Sequence, residues 1–355
     1  MKRAIMPALA AGLCLWLSPA FAGKPAGQPA ADAGLSIIAR KTIEAHVEFL
    51  ASDALEGREA GKPGGRVAAE YIRAELKKNG VKPFFDTYLQ RFEAYSPARE
   101  KGGAFQVHPD SIAAYKRLSA HRKLRLQNVV GYIEGRQSNE FVVLGAHYDH
   151  LGVDDLLVGD PIYNGADDNA SSVAALLQVA QAFAASGKKP QRSIIFAFWD
   201  GEEINYLGSE YFVQSFGNPA HIKANINLDM VGREGLMPVL YPEFSIPEAT
   251  PENTATGSQL HLLYTEDLAA AAAHLQAAIR DGGLQIAPRP AVIARRSRGS
   301  DYFAFTLRGV PVLWFFTGLH PDYHTPGDEA DRLNLDKVTE IAKATYLAAL
   351  YLANT

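Results

Sequence analysis

Two histidines and three acidic residues, far apart in the sequence, have the side chains expected of the ligands of one metal site. Imidazole and carboxylate together make the mixed nitrogen and oxygen ligand set that suits zinc or a similar first-row ion. A further glutamate, Glu202, directly precedes one of the candidates and is available as the base that a metal-bound water needs. The five candidate ligands are His147, Asp168, Glu203, Asp229 and His324.

The acidic candidates also have ordinary structural explanations. Asp168 precedes a predicted helix, where an aspartate commonly caps free backbone N–H groups, but Asn169 can serve the same purpose. Asp229 ends an apolar stretch, where an unpaired carboxylate is costly, and either a cation or Arg233 would neutralise it. The sequence leaves both explanations open.

Neighbours of the candidate histidines add chemistry of their own. Asp149 lies two positions after His147, within reach of the ring nitrogen that does not bind metal, and such a carboxylate commonly orients a liganding histidine. Tyr323 precedes His324 and carries an O–H that could donate to a developing oxyanion. Two more histidines lie near the motifs and are interpreted as residues around the site: His150 and His320.

Alternating strands and helices must position these residues. Apolar runs predict buried strands at 126–133, 141–146, 193–199, 224–228 and 310–316. Amphipathic patterns predict helices at 37–50, 66–78 and 170–185, from about 209, and at 335–352. Unbroken apolar strands separated by helices are typical of a three-layer α/β/α sandwich with a mixed, centrally parallel sheet.

Four candidates follow predicted strands: His147, Glu203, Asp229 and His324. In open α/β sheets the ligand site lies outside the carboxyl ends of the strands, where loops from distant parts of the chain meet. We therefore expect these side chains to converge at one edge of the sheet.

Composition and the first residues bound the possible functions. The 355 residues include 35 basic and 39 acidic side chains, and this near balance gives no indication of binding to nucleic acid or to an acidic membrane surface. Residues 1–22 have the pattern of an export signal, with an apolar run shorter than the ~20 residues that span a membrane. The single cysteine, Cys14, lies inside that segment, so no disulfide is predicted. We expect a periplasmic or extracellular protein without a membrane span after cleavage.

The rest of the chain is expected to form one domain. Residues 23–34, rich in glycine, proline and alanine, predict a flexible lead-in, and residues 35–355 predict a single catalytic domain. Residues 84–125 are expected to contain strands and an irregular excursion. Residues 241–257, with three prolines and little periodicity, predict an inserted loop.

The motifs together resemble those of the co-catalytic di-zinc aminopeptidases, a family that also contains glutamate carboxypeptidases and glutaminyl cyclases. The resemblance extends over most of the chain from about Ile37. It implies a secreted bacterial enzyme of the leucyl-aminopeptidase type, which hydrolyses N-terminal residues from peptides with a free N-terminus. The matching segments are 50–53, 56–58, 145–149, 165–171, 200–203, 227–230, 300–301 and 323–328.

Carried over by position, the resemblance implies two zinc ions that share one carboxylate. Asp168 matches the bridging residue. His147 and Asp229 would complete one zinc site, and Glu203 and His324 the other.

The resemblance also implies roles beyond metal binding. Glu202 matches the general base, Asp149 the residue that orients the liganding histidine, and Tyr323 the tyrosine that stabilises the oxyanion. The peptide bond between Asp168 and Asn169 is expected to be cis.

Three other functions remain compatible with these residues. A glutaminyl cyclase has a similar Asp-Gly-Glu-Glu segment, but those enzymes work with one zinc. The Asp-Asp-Asn-Ala-Ser turn of this chain is more similar to that of the two-metal members. A carboxypeptidase acting on acidic dipeptides would need a basic pocket, for which segment 295–298 is a candidate, although a solvated basic loop is the ordinary interpretation. A non-catalytic binding or receptor domain would be expected to have lost ligands or the base, and all are present.

Overall fold

The pattern of apolar residues along the chain translates into alternating helices and strands. The computed structural model describes residues 33–98, 104–236 and 258–355. Its helices are α1 (Arg40–Leu50), α2 (Pro63–Lys78), α3 (Pro109–Lys116), α4 (Ser172–Ser186), α5 (Leu207–Ser215), α6 (Ala269–Asp281), α7 (Tyr302–Thr306) and α8 (Leu335–Leu352). Its strands are β1 (Lys82–Pro83), β2 (Leu89–Pro97), β3 (His121–Ile133), β4 (Gln137–His147), β5 (Gly152–Val153), β6 (Ile162–Tyr163), β7 (Arg192–Trp199), β8 (Ile222–Leu228), β9 (Ser258–Tyr264), β10 (Ile286–Val292) and β11 (Val312–Phe316).

Two of the predicted segments, the export signal at 1–22 and the inserted loop at 241–257, lie outside the described residues, as does most of the lead-in at 23–34. Ala33–Thr355 forms one compact unit. Among the helices that the structure describes, none is both long and apolar enough to cross a membrane.

Nine of the described strands form one mixed sheet in the order β1-β3-β7-β4-β8-β11-β9-β10, with β2 also paired to β3. The central strands β7, β4, β8 and β11 run parallel to one another. β3 is antiparallel to β7, and β9 is antiparallel to β11. The predicted mixed sheet with a parallel centre is confirmed.

Both faces of the sheet are covered, because side chains of a strand point alternately to opposite faces. Along β7, Ile194 and Phe196 join a core shared with α1, α2, α4, α6 and α8. Ile195 and Trp199 join a second core with α5 and α7 on the opposite face. This arrangement is the predicted three-layer α/β/α sandwich.

Residues 258–309 contain elements that the apolar pattern did not reveal. β10 includes Pro288 and Pro290, which lack a backbone N–H, and is tolerated because it forms the edge of the sheet. α6 is mostly alanine, so its buried face has little hydrophobic contrast. In the segment 84–125, β2 pairs with β3 from Leu89 to Pro97.

Candidate metal centre

The carboxyl ends of four neighbouring parallel strands bring the candidate residues together. His147 is the last residue of β4, and Asp229 directly follows β8. Glu202 and Glu203 lie in the loop after β7, and His324 lies in the segment that follows β11. Because these strands are adjacent and parallel, their carboxyl ends meet at one edge of the sheet.

The turn before α4 delivers Asp168. The Asp168–Asn169 peptide bond is cis, as the resemblance implied. The Asn169 side chain donates to Leu228 O at 3.2 Å and accepts from the Met230 N–H at 3.1 Å, which ties the turn to the end of β8. The carboxylate of Asp328 accepts the Asp168 N–H at 3.0 Å. The turn is therefore held from two sides.

The two carboxylate oxygens of Asp168 face different partners. His147 Nε2 lies 3.2 Å from Asp168 Oδ1 and 3.5 Å from Asp229 Oδ1. His324 Nε2 lies 3.1 Å from Asp168 Oδ2 and 3.2 Å from Glu203 Oε2. The five candidate ligands thus form two groups that have Asp168 in common.

His150, which the sequence placed only near the site, contacts it directly. Its Nδ1 lies 2.7 Å from Glu203 Oε1 and 3.8 Å from Asp168 Oδ2. The ring fits because Gly165 has no side chain: a Cβ there would lie 2.5 Å from the His150 Cδ2. The repeated histidine of the His-Tyr-Asp-His segment at the end of β4 was the available sequence signal.

Asp149 contacts His147 mainly through its backbone. The Nδ1 of His147 is 3.1 Å from the Asp149 carbonyl oxygen and 3.7 Å from the carboxylate Oδ1. An N–H at Nδ1 leaves the lone pair on Nε2, on the side of the ligand cluster. The Asp149 carboxylate accepts the N–H of Glu202 at 3.1 Å and that of Glu203 at 3.4 Å. Asp149 therefore connects the ends of β4 and β7.

The donor set suits a divalent cation. One ligand atom each from His147, Asp168 and Asp229 lie within 4.8 Å of one another, and the same holds for His150, Asp168 and Glu203. Arg233, the rival partner for Asp229, instead pairs with Asp322 at 2.8 Å. Within the described ranges, the ion-pair partners of these buried carboxylates are imidazoles rather than lysine or arginine. Clustered buried carboxylates of this kind fit a bound metal.

The motif Ser300-Asp301 also reaches this edge. Ser300 Oγ accepts a hydrogen bond from the Asn227 side chain at 2.8 Å, which ties the motif to β8. Asp301 is buried, and its burial raises the pKa of the carboxyl to about 7, although the nearby His147 acts in the opposite direction. The motif therefore lies next to the candidate ligands at this edge of the sheet.

Arg58 stabilises the loops around the site, a role that the sequence pattern did not indicate. Its guanidinium is buried and donates to four backbone carbonyl oxygens, so it joins segments that carry the site. Burial lowers its pKa to about 10, and Asp168 and other nearby carboxylates limit this shift. The accepting carbonyls are those of Leu50 (2.6 Å), Tyr148 (2.9 Å), Asn164 (2.6 Å) and Gly165 (2.9 Å).

Glu202 lines a cavity of about 560 Å³ together with Tyr323 and His324. Burial raises the pKa of Glu202 well above its usual range; the nearby His147 opposes this shift and the charge of Glu203 adds to it. Tyr323 stacks on the His324 ring, with centroids 3.8 Å apart, and burial raises its pKa, which keeps the hydroxyl protonated. A carboxyl that binds protons readily and an O–H donor thus line the same cavity as the ligand cluster.

This edge of the α/β/α sandwich thus gathers imidazoles and carboxylates that could hold a metal ion, next to a buried glutamate whose pKa is raised. The model of peptidase family M28 matches residues 128–349, which is more than half of the chain. The chain belongs to that family.

Curated relatives are similar over only part of their length. "Probable leucine aminopeptidase 2" of Aspergillus fumigatus is 26% identical over 250 residues, which are 64% of this chain and 44% of that protein. "Leupeptin-inactivating enzyme 1" of Streptomyces exfoliatus is 25% identical over 252 residues, which are 70% of this chain and 48% of that protein. The chain therefore spans less than half the length of these relatives.

Solved structures share the fold. The LapA aminopeptidase of Legionella pneumophila matches with a TM-score of 0.62 at 20% identity, over 94% of this chain and 78% of that one. The zinc aminopeptidase BSAP of Bacillus subtilis matches with a TM-score of 0.61 at 14% identity, over 90% of this chain and 96% of that one.

Proposed function

We propose that this protein is a metallo-aminopeptidase that uses two zinc ions to remove N-terminal residues from peptides. The observation that carries the proposal is the position of Asp168, whose two oxygens face two separate groups of donors. His147 and Asp229 would hold one zinc with Asp168, and Glu203 and His324 the other. Family membership and the aminopeptidases among the relatives support the reaction class.

The residues around the metal positions have distinct roles in this proposal. Bound zinc would supply an acidified water and polarise the substrate carbonyl. Glu202 takes the proton from the attacking water and returns it to the leaving amine. The Tyr323 hydroxyl donates a hydrogen bond to the oxyanion. Asp149 orients His147 and holds the backbone of Glu202 in place.

We also propose that the protein is exported. The proposal rests on the charged and apolar pattern of residues 1–22. The peptides it cleaves would then be periplasmic or extracellular.

Replacing Glu202 with glutamine tests the proposed base. The amide has nearly the same shape but does not accept the proton, so Glu202→Gln should keep its zinc while kcat falls about 10²–10⁴-fold. Metal content by mass spectrometry and hydrolysis of leucine p-nitroanilide measure the two effects. Asp168→Asn serves as the comparison and should lose metal. Near-normal turnover by Glu202→Gln would reject the assignment.

The same assays separate the alternative functions. A glutaminyl cyclase would bind one zinc and act on N-terminal glutamine. A binding domain would hold zinc and cleave no aminoacyl reporter. Either result would contradict the aminopeptidase proposal.

A further inference from the structure

Two arginines line the same cavity as the proposed catalytic glutamate. Arg298 and Arg122 contribute to its wall together with Glu202 and Glu203. Both arginines are exposed to solvent. The cavity therefore offers positive as well as negative charge to a ligand.

Arg298 is held in place by neutral groups. Its Nη2 donates to Asn205 Oδ1 at 2.7 Å, and its guanidinium lies 5.4 Å from the Tyr206 ring centre and 5.0 Å from that of Phe303. Among the described residues no carboxylate forms an ion pair with it. Because a guanidinium has five N–H donors in a planar fork, donors remain for an incoming carboxylate.

The two residues that contact Arg298 from the loop after β7 have an unusual backbone conformation. Asn205 has a φ of 100° and Tyr206 a φ of 57°, although neither is glycine. Such positive values are uncommon for residues with a side chain and concentrate at functional sites. Here they occur in the residues that anchor Arg298, two and three positions after Glu203.

Arg122, on strand β3, also lies over an aromatic ring. Its guanidinium lies 5.0 Å from the Phe105 ring centre, and its Nη2 donates to Ser96 Oγ at 2.8 Å. By contrast, Arg295, in the same segment as Arg298, is neutralised by Asp267. Segment 295–298 is thus not uniformly a solvated basic loop, because Arg298 lines the cavity.

We propose that Arg298, assisted by Arg122, binds a carboxylate of the substrate beyond the scissile bond. The inference rests on the proposed aminopeptidase function and narrows its substrate class to short peptides that carry such a carboxylate, either at the C-terminus or on an acidic side chain. The cavity volume, about 560 Å³, is in the range of sites for small ligands. A short peptide also matches the charge pattern, since its ammonium group is attracted by the acidic residues and its carboxylate by the arginines.

Matched substrates distinguish the two possible sources of the carboxylate. Leu-Gly is compared with Leu-Gly-amide, and Leu-Glu-amide with Leu-Gln-amide. We expect kcat/KM for the charged member of at least one pair to exceed that for the neutral member about 10–100-fold, the effect of a hydrogen bond between charged groups. In Arg298→Met that ratio should fall towards one. In Arg122→Met it should fall by less.

Control variants separate a bidentate contact from a general loss of charge. Arg298→Lys keeps the charge but not the planar fork, so it should restore only part of the ratio. Arg295→Met, which removes an arginine already paired with Asp267, should leave the ratio unchanged. Equal rates for charged and neutral substrates in the parent enzyme, or an unchanged ratio in Arg298→Met, would overturn the proposal.

A binding measurement keeps the inference independent of turnover. Titration calorimetry with Glu202→Gln as the background compares the affinity of Leu-Gly with that of Leu-Gly-amide, and of Leu-Glu-amide with that of Leu-Gln-amide, with and without Arg298→Met. If a charged peptide binds more tightly than its neutral partner, and Arg298→Met abolishes this difference, the carboxylate site is supported. If in addition the parent enzyme hydrolyses no peptide, only the aminopeptidase proposal fails. Equal affinity within both pairs overturns the inference.

Discussion

His150 gives Glu203 a second partner. One oxygen of the Glu203 carboxylate faces His324 at 3.2 Å, and the other lies 2.7 Å from His150 Nδ1. The His150 Nε2 has no hydrogen-bond partner in the part of the chain that the structure describes. His150 is therefore positioned to fix the orientation of Glu203 rather than to hold unrelated loops.

Replacing His150 with phenylalanine should weaken zinc binding. The ring remains, but the contact with Glu203 is lost, and removal of a residue that orients a metal ligand commonly costs about 10–100-fold in metal affinity. Competition with a chelating dye measures the dissociation constants, and the exposed His121→Phe is the control. If His150→Phe retains the parent's affinity for both zinc ions, the orienting role is wrong.

The sequence identified single site residues where a polar side chain occurred in an otherwise apolar segment. Asp229 at the end of an apolar strand needed a partner, and the structure directs it to His147 rather than Arg233. For Arg298 the sequence offered only a basic segment, and for His150 only a second histidine close to His147, and neither signal identified a partner. Their partners, such as Glu203 for His150, lie far away along the chain and become neighbours only after folding.

At the scale of elements, the short turn Asp53–Arg58 depends on Arg58 and Gly57. Gly57 has a φ of 62°, and a Cβ there would lie 2.3 Å from the Gly152 carbonyl oxygen. This close approach brings the turn against β5, and Arg58 then reaches the backbone of the loops that carry the site. The turn thus connects α1 with the metal-binding edge of the sheet.

Arg58→Met should lower the free energy of unfolding by about 3–5 kcal/mol. The change leaves four buried carbonyl oxygens without their donors, and each buried unsatisfied group costs about 1–3 kcal/mol before relaxation. Arg58→Lys should recover only part, because an ammonium lacks the planar fork. Urea unfolding measures both. The control is Arg73→Met, which breaks a half-exposed pair with Glu70 and should cost less than about 1 kcal/mol. Equal effects of the two methionine variants would contradict this role.

Elements were predictable where burial produced a periodic pattern. The bounds predicted for α8 match the observed Leu335–Leu352, and the central strands were located within a few residues. The edge strand β10 was not predicted because its prolines suggest a loop. The alanine-rich α6 was not predicted because its faces differ little in hydropathy. Edge elements are only partly buried, so their sequences are less constrained.

At the scale of the whole molecule, buried histidines make stability depend on pH. His46 on α1 is 3% exposed and contacts the Tyr71 hydroxyl at 2.7 Å through Nδ1. Burial lowers its pKa to about 4; Glu75 acts against this shift, and Lys78 adds to it. Burial likewise lowers the pKa of His261 to about 4, with Arg289 adding to the effect. An unfolded histidine has a pKa of about 6.5.

The direction of the pH effect follows from these values. Between pH 6.5 and 4 the unfolded chain binds protons at both histidines and the native chain does not, so stability falls as the pH falls through this window. Each histidine contributes about 1.4 kcal/mol per pH unit. Above pH 6.5 both states are neutral at these positions and the effect disappears.

His46→Gln should make the protein less sensitive to acid. Glutamine does not titrate and can still hydrogen-bond to Tyr71, so from pH 7 to pH 5 the variant should lose about 2 kcal/mol less stability than the parent. Urea unfolding at the two pH values measures the difference, and effects of acid on the metal-binding residues cancel because both proteins share them. His121→Gln, at an exposed position, should behave like the parent. Equal losses in the parent and His46→Gln would show that His46 binds a proton in the native state as readily as in the unfolded chain.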